Sequence, residues 1–450
     1  PRSGHGPFSP ALRGEMSAPP RHDAEAPTQH TASTGPILYK TKVAVNTQAL
    51  TGMRGFAVMH VAFNHACTLS DSASFFFPDG PHLHGTCVIG QIQLMGAGSL
   101  GFFFLISGFV LVIGYAQIAL RPAATCREFA AGSPADFASS SSVVGGGRSG
   151  LPVLSAMSFL RSRFARLGPM YYLANLLVVM IGGRLLRNQL EYTPYQIVLM
   201  LTCTSTWFFE EPFLVTLWTI PVLFFFYLCF PVLAPWIQRI PPRHVRGIAI
   251  AMYGLNIVLY GGGYTLLGYP WTWVRNFPPA RLPVFVMGMC CAMQRLHATH
   301  ARLEGRPSPT ESCPTRLGLL GCGCMHPVTG LAICWLGVTL ASSLAASACL
   351  GGEALRYYNE LFLPMLFYEW VYAATDPDQS DSPVVRFFSS RPMVWLGDVS
   401  MATYMLHYLV LGVLARFIEL SVARGLMRKF VTGGPSWPPY RFGQAMFSGG

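Results

Sequence analysis

Charged residues are scarce in this sequence, and their scarcity excludes an ordinary water-soluble domain. Asp, Glu, Lys and Arg together make up 11% of the 450 residues, whereas soluble domains carry about 25%. Hydrophobic residues account for 52% of the chain. A chain of this composition lacks the polar surface that it would need in water. We therefore predict an integral membrane protein.

Lys, Asp and Glu are all scarce compared with Arg, and the formal net charge is +11. The basic residues are mostly Arg, and they lie mainly in the loops between apolar runs. Arginines in such loops orient helices and contact anionic head groups. We therefore expect membrane lipids, and no nucleic acid, among the partners of this chain.

Three further patterns are missing from the sequence: a cleavable secretory signal, an internal repeat, and the period-two alternation of membrane strands. What the sequence has instead is a series of long apolar runs, and a helix needs about 20 apolar residues to cross the hydrocarbon core. Because backbone groups must be satisfied within lipid, these runs should be helices. The predicted fold is all-α, a polytopic transmembrane helix bundle of about 9–11 spans. The runs are Leu50–Leu69, Gln93–Leu120, Pro169–Gly183, Phe213–Ile237, Gly247–Leu267, Arg281–Met293, Pro327–Leu350, Leu361–Ala374 and Val394–Leu420.

The span count and the sidedness of the later loops stay open at this point. The weaker run Tyr195–Phe209 is either a short span or a re-entrant segment, and the two alternatives place the following basic loops on opposite sides. The basic loop between the second and third spans favours a cytoplasmic N-terminus. The membrane itself is either the plasma membrane or an endomembrane.

The chain divides into three parts by composition. Residues 1–37 are rich in Pro and Ser and are predicted to be a disordered tail, residues 38–425 form the transmembrane domain, and residues 426–450 form a C-terminal tail. A Ser/Gly-rich loop occupies about 122–155 within the domain. The first residue is Pro and not Met, so a fragment is one expectation. A stand-alone membrane domain is the other, if the ends are complete.

Cysteine is frequent, but its pattern does not indicate a metal site. Most of the 12 cysteines lie within apolar runs, where they act as small hydrophobic residues. The cluster Cys322, Cys324 and His326 matches no zinc-site spacing well, and His82 and His84 are discounted in the same way. We expect no metal.

The first apolar run contains two residues that could carry chemistry. Arg54 stands at its entrance and His65 lies eleven positions further on. At about 100° per residue the two share one helix face, and they are separated by roughly 16 Å along the axis. An ionisable group at such depth usually faces a cavity or a partner, so His65 is either a proton-transfer group or a packing residue. His60 lies off this face and is interpreted as structural.

A second candidate pair precedes the third span. Arg163 and Arg166 are three apart and can share a helix face, and Pro169 marks a position where the span could begin. Two guanidinium groups near the membrane surface suit the binding of phosphates. The alternative is an ordinary basic anchor beside a helix end.

A third candidate set lies in the last apolar run. Ser400, Tyr404 and His407 fall on one helical stripe at spacings of four and three. Polar groups on an apolar helix face the inside of a bundle. They either line a substrate path or hold two helices together.

Six sequence blocks in order resemble the acyltransferase-3 superfamily of membrane O-acyltransferases, which includes bacterial O-antigen and peptidoglycan O-acetyltransferases. Each block alone is a weak signal, but their order and the register of their polar residues are specific. They extend from Leu50 to about Leu420. The blocks are MRGFAVMHVAFNHA, GSLGFFFLISGFVL, FLRSRFARLGPMYYLANLL, LWTIPVLFFFYLCFPVL, RLPVFVMGMCCAM and WLGDVSMATYMLHYLVL.

The resemblance implies roles for individual residues. Arg54 and His65 match the catalytic pair of the family, and Arg163 and Arg166 match a motif associated with acyl-CoA. The further matching positions that would line the substrate path are Ser107 of a Ser-Gly-Phe block, Trp218 and Tyr227.

The reaction implied by the resemblance moves an acyl group, often acetyl, from cytoplasmic acyl-CoA to a hydroxyl of a carbohydrate or lipid-linked acceptor across the bilayer. Acyl-CoA is then a donor substrate, and no bound cofactor is expected. His65 would serve as base or relay, and Arg54 would bind the phosphate or the thioester oxygen of the donor.

The sequence departs from the family pattern in the fourth and fifth of these blocks. Leu223 stands where many bacterial members carry Glu, Pro221 replaces a small polar residue, and Val284 stands where an acidic residue is common. These differences predict another acceptor or a lower activity. They also support an alternative from a different class, a multi-pass transporter of lipid or a small metabolite without acyl transfer.

Overall fold

The computed structural model describes most of the apolar runs but not several of the segments that connect them. The described residues are 45, 47–69, 98–115, 119–120, 153–185, 193–208, 215–265, 268, 271–305, 331–333, 336–337 and 351–423. The predicted tails, nearly all of the Ser/Gly-rich loop, most of the run Pro327–Leu350, and the Cys and His clusters at 322–326 and 82–84 lie outside them. All structural statements below concern the described part of the chain.

The first half of the described chain is helical apart from one pair of two-residue strands. Strands β1 and β2 are parallel, and Ala119 pairs with Val153. The elements are α1 (Gln48–Leu69), α2 (Ser99–Tyr115), β1 (Ala119–Leu120), β2 (Val153–Leu154), α3 (Ala156–Leu185), α4 (Pro194–Leu201), two short 3₁₀ helices (Ser205–Trp207 and Val215–Trp218) and α5 (Thr219–Gln238).

The second half is also helical where it is described. Its elements are α6 (Pro242–Asn256), a π-helical turn (Ile257–Gly261), α7 (Gly262–Thr265), α8 (Trp271–Asn276), α9 (Pro278–Leu303), α10 (Gly351–Ala374), a 3₁₀ helix (Pro377–Gln379), α11 (Pro383–Phe388), α12 (Arg391–Asp398) and α13 (Ser400–Ala423). The all-helical class predicted from the apolar runs is therefore confirmed for the described residues.

Helix α9 lies at the centre of the core and packs against α2, α5 and α6. Its contact with α2 is very close because glycines occupy the crossing. A Cβ atom at Gly288 would lie 1.9 Å from the carbonyl oxygen of Leu105, and one at Gly108 would lie 2.1 Å from that of Phe285. Small residues allow two helix backbones to approach in this way, as in membrane bundles.

Helices α1, α12 and α13 form the second close contact. A Cβ atom at Gly397 would lie 1.9 Å from the carbonyl oxygen of Thr51, and one at Gly55 would lie 2.6 Å from the backbone nitrogen of Gly397. The backbone of α12 therefore lies directly against the first turns of α1.

Two described helices are long and apolar enough to cross a membrane, at Ala156–Ile181 and Thr216–Gln238. A third candidate is the pair Arg391–Asp398 and Ser400–Leu414, which is bent by 70°. Ser99–Tyr115 and Leu361–Ala374 are apolar but shorter. The structure thus provides two or three candidate spans, while the larger predicted number remains a prediction.

One predicted span is bent, and one predicted boundary is wrong. The run Val394–Leu420 bends by 70° between α12 and α13, at the C-cap residue Val399, and the bent pair stays a candidate for one span. Helix α3 begins at Ala156, well before Pro169, and Pro169 lies inside it. The residues that precede Pro169 include several Arg and Leu residues, which are good helix formers, so the helix extends beyond its most apolar part.

Candidate active site

The candidate residues of α1 lie at two levels of the helix, and both levels contact the α12–α13 segment. At the lower level, one Arg54 guanidinium nitrogen donates a hydrogen bond of 2.7 Å to the carbonyl oxygen of Gly397. At the upper level, the ring of His65 lies against that of His407, with centroids 5.3 Å apart. Arg54 and His65 therefore face the same side of α1, as their spacing predicts.

The bend between α12 and α13 makes the lower contact possible. In a continuous helix the Gly397 carbonyl would accept a backbone N–H from the next turn. Here it accepts the hydroxyl of Ser400 at 2.6 Å and the guanidinium of Arg54 at 2.7 Å, together with the backbone N–H of Val399 at the helix end. A cation at the C-terminal end of a helix is also favoured by the helix dipole.

Arg163 is held in position by aromatic residues from two helices. Its guanidinium donates a hydrogen bond of 2.7 Å to the hydroxyl of Tyr115. It also lies 5.5 Å from the ring centroid of Tyr115 and 5.3 Å from that of Phe159. These contacts orient the charged group, while Arg166, one turn further along α3, is exposed.

Tyr227 marks the point at which the predicted arginines converge. Its side chain is buried, and Arg54, Arg163 and Arg166 all act electrostatically on its hydroxyl. Arg54 and Arg166 also act on each other, and Asp398 is a carboxylate within range of Arg54. Like charges within electrostatic range of each other repel, Asp398 offsets part of that repulsion at Arg54, and a bound polyanion would offset more of it. We call this set the arginine cluster.

The upper level contains aromatic and imidazole rings from two helices. His65 is half-buried, and its ring contacts His407 and, edge to face at 5.3 Å, Tyr408. His60, on another face of α1, is buried and shares a hydrogen bond of 3.0 Å with the hydroxyl of Ser99. This contact joins α1 to α2, and the structural role of His60 stays a prediction.

The stripe of Ser400, Tyr404 and His407 faces inward, since all three side chains are buried. The Tyr404 hydroxyl donates to the carbonyl oxygen of Thr216 at 2.9 Å and thereby ties α13 to the turn before α5. Ser400 donates to Gly397. Two members of the stripe therefore serve the contact between helices, and His407 alone of the three lies against His65.

The contacts of Ser107 and Trp218 are separate from those that join α1 to the α12–α13 segment. The Ser107 hydroxyl donates to the carbonyl oxygen of Phe103, one turn back in its own helix. Trp218 is buried, packs on Phe104, and has the guanidinium of Arg275 at 5.0 Å from its ring centroid. These contacts place Trp218 in the interior beside α2 and α8, whereas Ser107 is half-buried and its hydrogen bond stays within α2.

Two of the three positions at which the sequence departs from the family pattern, Leu223 and Val284, have apolar surroundings as well. Leu223 and Val284 are both buried in the hydrophobic core. They contribute to the packing of α5 and α9.

The structure also reveals buried arginines that were not singled out from the sequence. Arg281, within α9, is 2% exposed and lies 4.6 Å from the ring centroid of Tyr260, and it donates to the carbonyl oxygen of Arg275 at 2.7 Å. Arg295, one further buried arginine of the same helix, pairs with Asp376 at 3.1 Å. Arg281 begins the apolar run Arg281–Met293 and Arg295 follows its end by two residues, so arginines bordering an apolar run are the signal that would have identified both.

Comparison with known proteins gives one match. A family model described as an acyltransferase domain, the acyltransferase-3 model, matches residues 47–439. No curated protein and no solved structure matches the chain. The matched range includes the arginine cluster, His65 and His407.

Proposed function

The chain belongs to the acyltransferase-3 family and is thus an acyltransferase, and we propose that it transfers an acyl group, specifically acetyl, from cytoplasmic acyl-CoA to a hydroxyl of a carbohydrate or lipid-linked acceptor. The observation that carries this proposal is the two-level arrangement on one face of α1. Cationic groups converge at Arg54, and an imidazole lies roughly 16 Å away at His65.

The arginine cluster supports the assignment of the donor. Coenzyme A carries several phosphate groups, and guanidinium groups bind phosphate with paired hydrogen bonds. Arg163 is oriented by Tyr115 and Phe159, so less side-chain freedom would be lost when a phosphate binds. Exposure of Arg166 keeps this end of the site open to water.

His65 is the group best suited to the transfer step. A neutral imidazole can accept the proton of the acceptor hydroxyl as its oxygen attacks the thioester carbonyl carbon. The new carbon–oxygen bond replaces the carbon–sulfur bond, and the proton passes to the thiolate of the departing coenzyme. Arg54, on the same face, would stabilise the donor.

The membrane arrangement forms part of the same proposal. Members of the family are membrane proteins, and the described helices include apolar candidates for spans. A multi-pass bundle with the arginine cluster on the cytoplasmic side would let the acyl group reach an acceptor on the other side. Family membership favours this function over the transporter alternative.

The proposal is tested with the full chain reconstituted in liposomes. Acetyl-CoA labelled in the acetyl group is supplied with candidate sugar and lipid-linked acceptors, and acylated products are identified by mass spectrometry. We expect labelled product from the natural chain and a loss of roughly 10²- to 10⁴-fold in kcat for His65→Gln, the usual range for a general base.

The matched control is His60→Gln, since His60 lies on the same helix and contacts Ser99. This variant should retain activity. Full activity of His65→Gln would overturn the role of His65, and the absence of transfer from any acyl-CoA to any acceptor class would overturn the proposed function.

A further inference from the structure

The hydrogen bond of His407 determines which of its nitrogens carries the proton. Its Nδ1 atom lies 2.7 Å from the carbonyl oxygen of Tyr404. A carbonyl oxygen can accept a hydrogen bond and cannot donate one. The neutral His407 ring therefore carries its hydrogen on Nδ1, and Nε2 presents a lone pair.

The Nε2 lone pair of His407 is buried and has no hydrogen-bond partner among the described residues. The side chain is 6% exposed. An unsatisfied buried acceptor is costly, and a native protein usually tolerates one where it has a use. The Nε2 atom is therefore available to accept a hydrogen bond from a donor on a neighbouring helix.

His65 is the donor that the geometry provides. The two ring centroids are 5.3 Å apart and the planes are tilted by 37°. At this separation two imidazole rings can form an N–H···N hydrogen bond of about 2.9 Å once a nitrogen of His65 turns towards Nε2; in this structure Nε2 has not yet formed that bond. Hydrogen bonds of catalytic groups are often long before substrate binds and shorten afterwards.

We propose that His407 is a positioning residue for His65: its Nε2 atom accepts a hydrogen bond from one ring nitrogen of His65, so that the other nitrogen of His65 faces the acceptor hydroxyl. This inference rests on the proposed function, which makes His65 the base. The inference extends the proposed function by naming the group that fixes the His65 tautomer. Bases oriented by a third group occur in many unrelated acyl-transfer enzymes.

The pairing of His65 with His407 also accounts for the position of the positive charge during the reaction. When His65 takes the proton of the acceptor hydroxyl, it becomes an imidazolium with two N–H groups. One N–H remains directed at the reacting oxygen and then returns its proton to the coenzyme thiolate, while the other stays bonded to His407. His407 keeps its own proton on Nδ1 throughout.

Two substitutions at position 407 separate this role from a structural one. In His407→Asn, the amide nitrogen can replace Nδ1 as donor to the Tyr404 carbonyl, but nothing replaces Nε2. In His407→Gln, the amide oxygen can occupy the place of Nε2 as an acceptor, but the bond to Tyr404 is lost.

We expect a fall of roughly 10- to 100-fold in kcat for His407→Asn, as for other second partners of functional histidines, with an unchanged KM for acetyl-CoA. His407→Gln should retain more activity than His407→Asn. A purely structural role of His407 requires the opposite order, because Asn preserves the bond within α13. Equal or greater activity of the Asn variant would therefore overturn the proposal.

A second measurement does not depend on acyl transfer. The full chain, labelled with ¹⁵N in histidine and placed in nanodiscs, gives ring nitrogen signals, and those of His65 are identified by their loss in His65→Gln. We expect one His65 tautomer in the natural chain and a mixture of tautomers in His407→Asn. An identical His65 signal in both would overturn the positioning role even if the proposed function holds, and a changed signal without any transfer would overturn the proposed function alone.

Discussion

The guanidinium of Arg54 donates a hydrogen bond of 2.7 Å to the carbonyl oxygen of Gly397, at the bend between α12 and α13. That carbonyl also accepts the hydroxyl of Ser400. The first helix of the domain is thereby fixed to the last one at the level of the arginine cluster. Because Arg54 also lies within electrostatic range of Arg166, this single bond places the guanidinium between the bend and the proposed donor site.

Replacement of Arg54 by Lys tests the geometry of this contact at constant charge. Lysine has a single ammonium group in place of the planar fork, so it cannot hold Gly397 and a phosphate in the same manner. Loss of a hydrogen bond to a charged group costs about 1.5–3 kcal/mol, and we expect kcat/KM for acetyl-CoA to fall roughly 10- to 150-fold. Steady-state kinetics with acetyl-CoA measures this fall in kcat/KM.

The control for Arg54→Lys is Arg391→Lys, a change at the exposed first residue of α12. Its kinetics should match those of the natural chain. Equal losses in the two variants would show that the effect comes from the general loss of arginine and not from the Gly397 contact.

Tyr115→Phe tests whether Arg163 is held in place for the donor. The substitution removes the 2.7 Å hydrogen bond to Arg163 but keeps the ring that the guanidinium stacks on. A hydrogen bond to a charged group is worth about 1.5–3 kcal/mol, but the ring contacts continue to hold the guanidinium, so we expect KM for acetyl-CoA to rise by roughly 10-fold, with little change in kcat. Tyr195→Phe, at an exposed tyrosine of α4, is the control. A fall in kcat at constant KM would contradict a role of Arg163 in donor binding.

Gly288→Ala tests the close crossing of α9 and α2. The added methyl group would lie 1.9 Å from the Leu105 carbonyl oxygen, so the helices must separate. We expect a loss of at least about 1–3 kcal/mol, the usual cost of overpacking, seen as a lower midpoint in thermal unfolding in detergent. Gly247→Ala, in α6, meets no atom within 4 Å, and it should stabilise the chain by about 0.5–1 kcal/mol. A stable Gly288→Ala variant would show that this crossing is not tight.

Asp376→Asn tests the ion pair outside the apolar part of α10. Burial of Asp376 opposes its ionisation, but the charge of Arg295 and the hydrogen bonds from Arg302 and the Asp378 backbone outweigh it and hold the pKa of Asp376 below its ordinary value of 3.8. Because Arg295 is buried with Asp376 as its partner, we expect the substitution to lower stability at pH 7 by roughly 3–5 kcal/mol.

The pH dependence of this difference follows from the lowered pKa. A carboxylate whose pKa is lower in the folded state stabilises the fold above its unfolded pKa, and this contribution is lost as the pH falls through the folded pKa. The gap between the natural chain and Asp376→Asn should therefore be constant at neutral pH and shrink below about pH 4. Asp378→Asn, at a side chain that is 69% exposed, should change stability by less than about 1 kcal/mol. A gap that does not vary with pH would exclude the ion pair as its cause.

Periodicity alone was sufficient to predict which residues of one helix face the same way. Arg54 and His65 both contact the α12–α13 segment, and the stripe of Ser400, Tyr404 and His407 is buried, as their spacings predict. These are local properties, since 3.6 residues per turn fix the direction of each side chain from the sequence. The scarcity of charge and the apolar runs predicted the helical class on equally local grounds.

The tertiary structure decided which of these faces meet. Hydropathy could not locate the bend at Val399, because Gly397 and Ser400 interrupt the helix through backbone and hydroxyl contacts that an average over apolar residues does not detect. The sequence alone could not decide whether His407 has a packing role or a functional role. Its contact with His65 arises from the packing of α13 on α1. The sequence thus determined a helical acyltransferase of this family and its candidate residues. Only the packing of distant helices brought Arg54 to the arginine cluster and His65 to His407, because such contacts depend on which surfaces are complementary and not on the period of any one helix.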